Sequence, residues 1–123
     1  MYKNLDYDIQ KSFIPVALLA SVPQVLVVNP NRVSARNLKD FIALMKKNPG
    51  KYNFASAGSG TVHHLAGELF KIQSGTFIVH IPYRGAGPAM SDLLAGQVDL
   101  EFDGLGTSAP QINSGKLFAI AVA

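Results

Sequence analysis

Three times in this chain a short β-prone run ends in a Gly-x-Gly turn and passes into a helix-prone stretch. No other feature constrains the fold as tightly. Tyr52 to Ser56 leads through Gly58-Ser59-Gly60 into Thr61 to Gln73, where Val62, Leu65, Leu69 and Ile72 recur at helical spacing. Phe77 to Ile81 leads through Gly85-Ala86-Gly87 into a helix beginning near Pro88, a residue suited to a first helical turn. Val98 to Phe102 leads through Gly104-Leu105-Gly106 into a helix near Thr107 to Ser114, which Gly115 ends before a final apolar strand, Leu117 to Ala123. Strands alternating with helices of this length predict an α/β fold: a mixed, mostly parallel sheet of about five strands with helices on both faces.

The segments before the repeat fit the same plan. Phe13 to Val28 is rich in valine and leucine, with Pro15 and Pro23 placed where only edge strands or strand ends tolerate proline. Two extended segments are expected there, at about 14–20 and 22–28. Asn29-Pro30-Asn31 makes a turn, and Ser34 is the expected N-cap of a helix carrying Leu38, Phe41, Ile42 and Met45 on one face. Asn48-Pro49-Gly50 stops that helix.

The 123 residues suffice for one hydrophobic core, so residues 1–123 are expected to form a single lobe. With 48% apolar and only 15% charged residues, some apolar surface is expected to face a partner. The formal net charge of +3 is scattered, with Lys46 and Lys47 its densest point, which argues against a nucleic-acid surface. Without cysteine there is neither a disulfide framework nor a thiolate metal site. Pro15, Ser21, Pro23 and Gln24 interrupt the longest apolar stretch, a poor fit to a membrane-spanning helix of about 20 residues. Met1 to Lys11 has no signal-peptide core. Ala123 falls in mid-strand, so the chain reads as one lobe of something longer.

Ligands of open α/β sheets bind beyond the carboxyl ends of the strands, where this sequence places its glycine turns. Glycine lets the backbone approach a ligand closely, and the helix that follows presents unpaired N–H groups and the positive end of its dipole. A carboxylate or phosphate is the fitting ligand. Nucleotide fingerprints fail, because Thr61-Val62-His63 follows Gly60 without the third glycine and no Gly-Lys-Ser/Thr occurs.

Side chains capable of chemistry are few. His63, His64 and Glu68 suggest a metal site, but His-Glu-x-x-His is absent, no third ligand has a recognisable spacing, and adjacent helical histidines point apart. No metal and no cofactor are expected. His80 reads as a structural histidine within a strand. Asp99, Glu101 and Asp103 alternate with Val98, Leu100 and Phe102, which predicts an edge strand with one wet face for Asp99 and Glu101. Asp103 ends the strand beside Gly104, where a cleft would lie. Ser56, Ser59 and Ser108 are candidate nucleophiles, yet there is no Gly-x-Ser-x-Gly elbow and no base is placed for Ser59. These serines and Thr61 make better hydrogen-bond donors or helix caps.

The string from Tyr52 to Gly60, YNFASAGSG, continuing with HLAGELF from His64 to Phe70, resembles the solute receptors of tripartite tricarboxylate transporters, the Bug proteins. His80 to Ala89, Asp92 to Asp99, Ser114 to Leu117, and Tyr7-Asp8 with Phe13 and Pro15 follow in the order and spacing of that family. The resemblance covers nearly the whole chain. It implies one lobe, the central one, of a two-lobed periplasmic binding protein that closes on a small carboxylate (a di- or tricarboxylate, an amino acid or an aromatic acid) and delivers it to a membrane permease. The positions it implies for ligand binding are Ser56, Ala57, Gly58, Ser59, Gly60 and Thr61, with Asp103 on the opposite wall. Tyr83 and Arg84 become scaffold at the rim, and Glu101 departs from the apolar residue usual in the family. Two alternatives stand beside transport: a small serine- or carboxylate-dependent hydrolase, and a fragment that forms a homodimer through its apolar face without binding ligand.

Overall fold

The computed structural model describes residues 23–122. The extended segment expected at 14–20 and the opening part of the family resemblance lie outside them. Strands and helices alternate as β1 (Gln24–Val28), α1 (Leu38–Lys47), β2 (Asn53–Ser56), α2 (Val62–Ser74), β3 (Val79–Pro82), α3 (Ala86–Ala95), β4 (Leu100–Gly104), α4 (Leu105–Asn113) and β5 (Phe118–Val122). Among the described residues the sheet is five-stranded, in the order β3-β2-β4-β1-β5. β2 runs parallel to β3 and β4, whereas β1 is antiparallel to β4 and β5. The sheet is thus mixed and mostly parallel, with β1 alone reversed.

The period of two along each strand divides the core. Leu26 and Val28 of β1 pack with Phe41, Met45, Phe54 and Leu100 under α1 and α2. Val25 and Val27 pack with Ala55, Ala89, Leu93 and Val98 under α3 and α4. A strand buried on both faces has no polar alternation, which is why QVLVV reads as a continuous apolar run.

Three local expectations are corrected. Asn37, not Ser34, caps α1: its side chain accepts from the Asp40 N–H at 2.8 Å and donates to the Asp40 carboxylate at 2.9 Å. Ser34 offers one such bond, whereas Asn37 and Asp40 satisfy each other, so the helix starts three residues later. α4 begins directly at Leu105, because Gly104 serves both as the end of β4 and as the N-cap. β4 is the middle strand of the sheet, not an edge, and Asp99, Glu101 and Asp103 are at most 2% exposed.

α2 shows how a helix with two possible faces chooses one. Val62, Leu65, Leu69 and Ile72 are exposed by 44–79%, whereas Ala66, Gly67 and Phe70 face the core. Gly67 decides it: a Cβ there would lie 2.2 Å from Phe54 Cε2, so its absence lets the helix rest on that ring. The larger stripe is left as apolar surface, the surplus already visible in the composition.

Two pairs of substitutions test this account. Gly67→Ala is expected to destabilise the chain by about 1–3 kcal/mol through overpacking, with Phe54→Leu recovering part of the loss. Asn37→Ala should cost about 1 kcal/mol and Ser34→Ala close to nothing. Urea denaturation measures both, and equal effects at 34 and 37 would refute the cap assignment.

Candidate functional site

Because β3, β2 and β4 lie side by side in parallel, the turns after them meet at one edge of the sheet with the N-termini of α2, α3 and α4. Gly58, Gly60 and Gly85 have φ of +145°, +85° and +114°, a region that disfavours any side chain. Two of the turns are tied together: the Tyr83 N–H donates to Ser56 O at 2.9 Å, and the Gly85 N–H donates to Ala57 O at 3.0 Å.

Side chains fix the first turn from beneath. The Gly58 N–H donates to Ser56 Oγ at 3.1 Å, Thr61 Oγ1 donates to Gly58 O at 2.7 Å, and the Gly60 N–H donates to His64 Nδ1 at 2.9 Å. His64 Nδ1 must therefore be unprotonated, with the proton on Nε2. Among the described residues the N–H groups of Ser59, Val62 and His63 have no hydrogen-bond partner. They form a set of donors at the positive end of α2, suited to an anion. Neither α3 nor α4 has a side-chain cap, so their first turns add to the same field.

The residues expected to bind ligand separate into two groups. Ser59 is exposed, and Ala57, Gly58, Gly60 and Thr61 are partly so, all on the turn. Ser56 and Asp103 are buried beneath it. Ser56 Oγ lies 2.6 Å from His80 Nε2, a serine–imidazole pair that sequence spacing does not reveal because it spans two parallel strands. The serine is fully buried and its oxygen already accepts from Gly58, so the pair shapes the turn and leaves no approach for a substrate. His80 also stacks on His64 with ring centroids 3.9 Å apart and 5° between planes. Tyr83 donates to the Asp92 carboxylate at 2.7 Å; burial and that bond push its hydroxyl up to about 12. Arg84 is exposed beside it.

The two acids of β4 and Asp99, which precedes it, are met in different ways. Asp99 accepts from Arg32 and from the Asn53 N–H, both at 3.0 Å. Asp103 accepts from Ser108 Oγ at 2.6 Å and lies 3.5 Å from His63 Nε2. Glu101 Oε1 is 3.2 Å from His63 Nδ1, but off the line of a hydrogen bond, and both Glu101 oxygens lack hydrogen-bond partners among the described residues. Burial pushes the Glu101 carboxyl up, and the adjoining carboxylate raises the His63 imidazole. His63 and His64 do point apart, but His63 turns toward β4, where sequence alone offered no partner. One donor atom each from His63, Glu101 and Asp103 lies within 4.8 Å of the others, a group able to hold a metal. A separate groove of about 240 Å³, lined by Leu38, Leu69, Phe70 and Phe102 among others, is too apolar for a carboxylate.

Burial, followed by the neighbouring His64, lowers the His80 pKa. The unfolded chain therefore binds the proton more readily than the folded one, so this contribution to stability is complete above the ordinary value of 6.5 and is lost as pH falls below it. Between pH 7.5 and 5, wild type is expected to lose more unfolding free energy than His80→Gln. Parallel losses in urea titrations at the two pH values would count against this role for His80.

Residues 1–123 match the family described as tripartite tricarboxylate transporter family receptor. Three solved structures share the fold: a periplasmic transporter (50% identity, TM-score 0.92, 98% of this chain and 40% of that one), R. palustris Rpa4515 with adipate (32%, 0.91, 98% and 40%) and MatC of Rhodopseudomonas palustris with bound malate (30%, 0.89, 99% and 41%). A curated relative, the UPF0065 protein in the tcbD-tcbE intergenic region of Pseudomonas sp. (strain P51), is 39% identical over 121 residues, 98% of this chain and 36% of its own length. The chain thus spans about two fifths or less of the proteins it matches, and it belongs to the tripartite tricarboxylate transporter receptor family.

Proposed function

We propose that this chain supplies one wall of a periplasmic receptor's cleft for a small carboxylate, which the whole receptor delivers to a membrane permease. The observation that carries the reading is the gathering of three helix N-termini at one edge of the sheet, beside a glycine turn whose Ser59, Val62 and His63 amides have no hydrogen-bond partner among the described residues. Those amides and the Ser59 hydroxyl face the anion. Ser56, Thr61 and Asp103 act from below, because their polar atoms are already engaged with Gly58, His80, Ser108 and His63. Adipate and malate, named for two similar structures, make dicarboxylates the first class to test.

The reading is one of binding, not catalysis. A hydrolase would need Ser56 beside His80 to be reachable, and it is not. The exposed stripe Val62, Leu65, Leu69 and Ile72 is the face that the rest of the receptor covers, or a second copy when the lobe stands alone. A cleft with one wall missing exposes its ligand to water, so the isolated chain should bind weakly.

The test is a thermal-shift and calorimetric screen of the complete receptor against adipate, malate, citrate, aspartate and benzoate. A saturable rise in Tm with at least one acid is expected, together with at least tenfold weaker binding in Gly60→Val, where φ is +85° and a branched side chain cannot keep the turn. A receptor that binds none of these acids, or a Gly60→Val variant that binds as wild type does, would refute the assignment.

A further inference from the structure

We propose that His63, Glu101 and Asp103 form a binding site for a borderline divalent cation, zinc in the first instance, directly beneath the glycine turn. The three residues come from two elements that the fold holds firmly. Glu101 and Asp103 are alternate residues of the central strand β4 and share one of its faces, and His63 reaches them from the first turn of α2. One donor atom of each lies within 4.8 Å of the others. A small closing movement sets them on a shell of about 2.0–2.2 Å radius around one ion.

A histidine and two carboxylates can also exist as an ion pair, and Glu101 argues that a pair is not enough. Its side chain is completely buried and neither oxygen has a hydrogen-bond partner among the described residues. With Glu101 ionised, a charged His63 neutralises one carboxylate of the two; with Glu101 protonated, its carboxyl still finds no hydrogen-bond partner among the described residues. A divalent cation with a neutral imidazole balances both and uses the idle oxygens. The donor set selects the metal: one imidazole nitrogen with two carboxylates suits zinc or manganese, whereas calcium and magnesium prefer more oxygen ligands than this cluster has. Ser108 completes the pattern by donating to the outer oxygen of Asp103 at 2.6 Å, which orients that carboxylate as a ligand. The side chain of His63 is 15% exposed, so the cluster lies next to solvent on that side. None of this depends on which anion the cleft takes, or on whether it takes one.

The test uses this chain after dialysis against a chelator, titrated calorimetrically with zinc, manganese, calcium and magnesium chlorides, with folding of every variant checked by circular dichroism. One zinc per chain at micromolar or lower concentration is expected, with manganese weaker and calcium and magnesium weaker still. His63→Gln, Glu101→Gln and Asp103→Asn should each weaken zinc at least tenfold, and Glu68→Gln, which alters the neighbouring His64–Glu68 pair, should leave it unchanged. Zinc should also shift the ring resonances of His63. Failure of wild type to take up zinc or manganese at micromolar concentrations overturns the proposal. So does uptake that survives all three ligand substitutions, since it would place the ion elsewhere. Should one variant fail to fold, the other two and the His63 resonances decide.

Discussion

The candidate site depends on β2 lying between β3 and β4 with all three strands parallel. A parallel neighbour can be reached only by a crossover, and here each crossover is a helix that must start at the edge where the preceding strand ended. The N-termini of α2, α3 and α4 therefore gather at one edge without any side chain directing them there. An antiparallel β2 would send α2 and its open amides to the other end of the sheet. The anion-favouring field is in this sense a property of topology, and the residues on the turn only refine it.

The reversed strand β1 has a separate consequence. By pairing with both β4 and β5 it moves β4 from the edge to the middle of the sheet, where helices cover both of its faces. Leu100 and Phe102 fill the α1–α2 core, so the period of two sends Asp99, Glu101 and Asp103 to the other side, also buried. Burying a charge is costly unless it is paired. Asp99 lies far from the glycine turns and is satisfied by Arg32 and a backbone amide, and Asp103 by Ser108. Among the described residues Glu101 has His63 as its neighbouring base and no aligned hydrogen bond, so the least compensated acid of the core lies under the candidate site.

What the sequence made legible follows from how far apart the deciding contacts lie. The alternation of strands and helices and the glycine turns are local, and they were readable to within a few residues. The place of β4 in the sheet was not, because alternating acids look the same whether a strand ends a sheet or lies inside it; only the pairing with β1 distinguishes the two. The buried face of α2 was hidden for a related reason. Val62, Leu65, Leu69 and Ile72 make the more apolar stripe, yet Gly67 allows the closer approach to Phe54 and wins the packing. His63–Glu101 and Ser56–His80 escaped because each joins residues on different elements. A usable signal did exist for the first: an acid where the family resemblance leads one to expect an apolar residue calls for a compensating group nearby, and His63 begins the helix that packs on β4.

The shape of the glycine turn is held by groups that lie outside the glycines. Positive φ makes its shape possible, but many shapes are open to glycine, and this one is selected by Thr61, Ser56 and His64, which occupy the Gly58 carbonyl, the Gly58 N–H and the Gly60 N–H. Among the described residues this leaves the Ser59, Val62 and His63 amides without a protein partner. Holding the turn in this way lowers the conformational freedom that a ligand would have to freeze out. It also makes the turn sensitive to the state of two imidazoles. His64 Nδ1 must remain an acceptor to hold Gly60, and it lies stacked on His80, whose burial disfavours a proton. His64 in turn helps to keep His80 unprotonated, because a charge on one ring would be repelled by a charge on the other. The hydrophobic core under Phe54 thereby reaches the binding surface: it dries His80, His80 stacks against His64, and His64 holds the amide that shapes the turn.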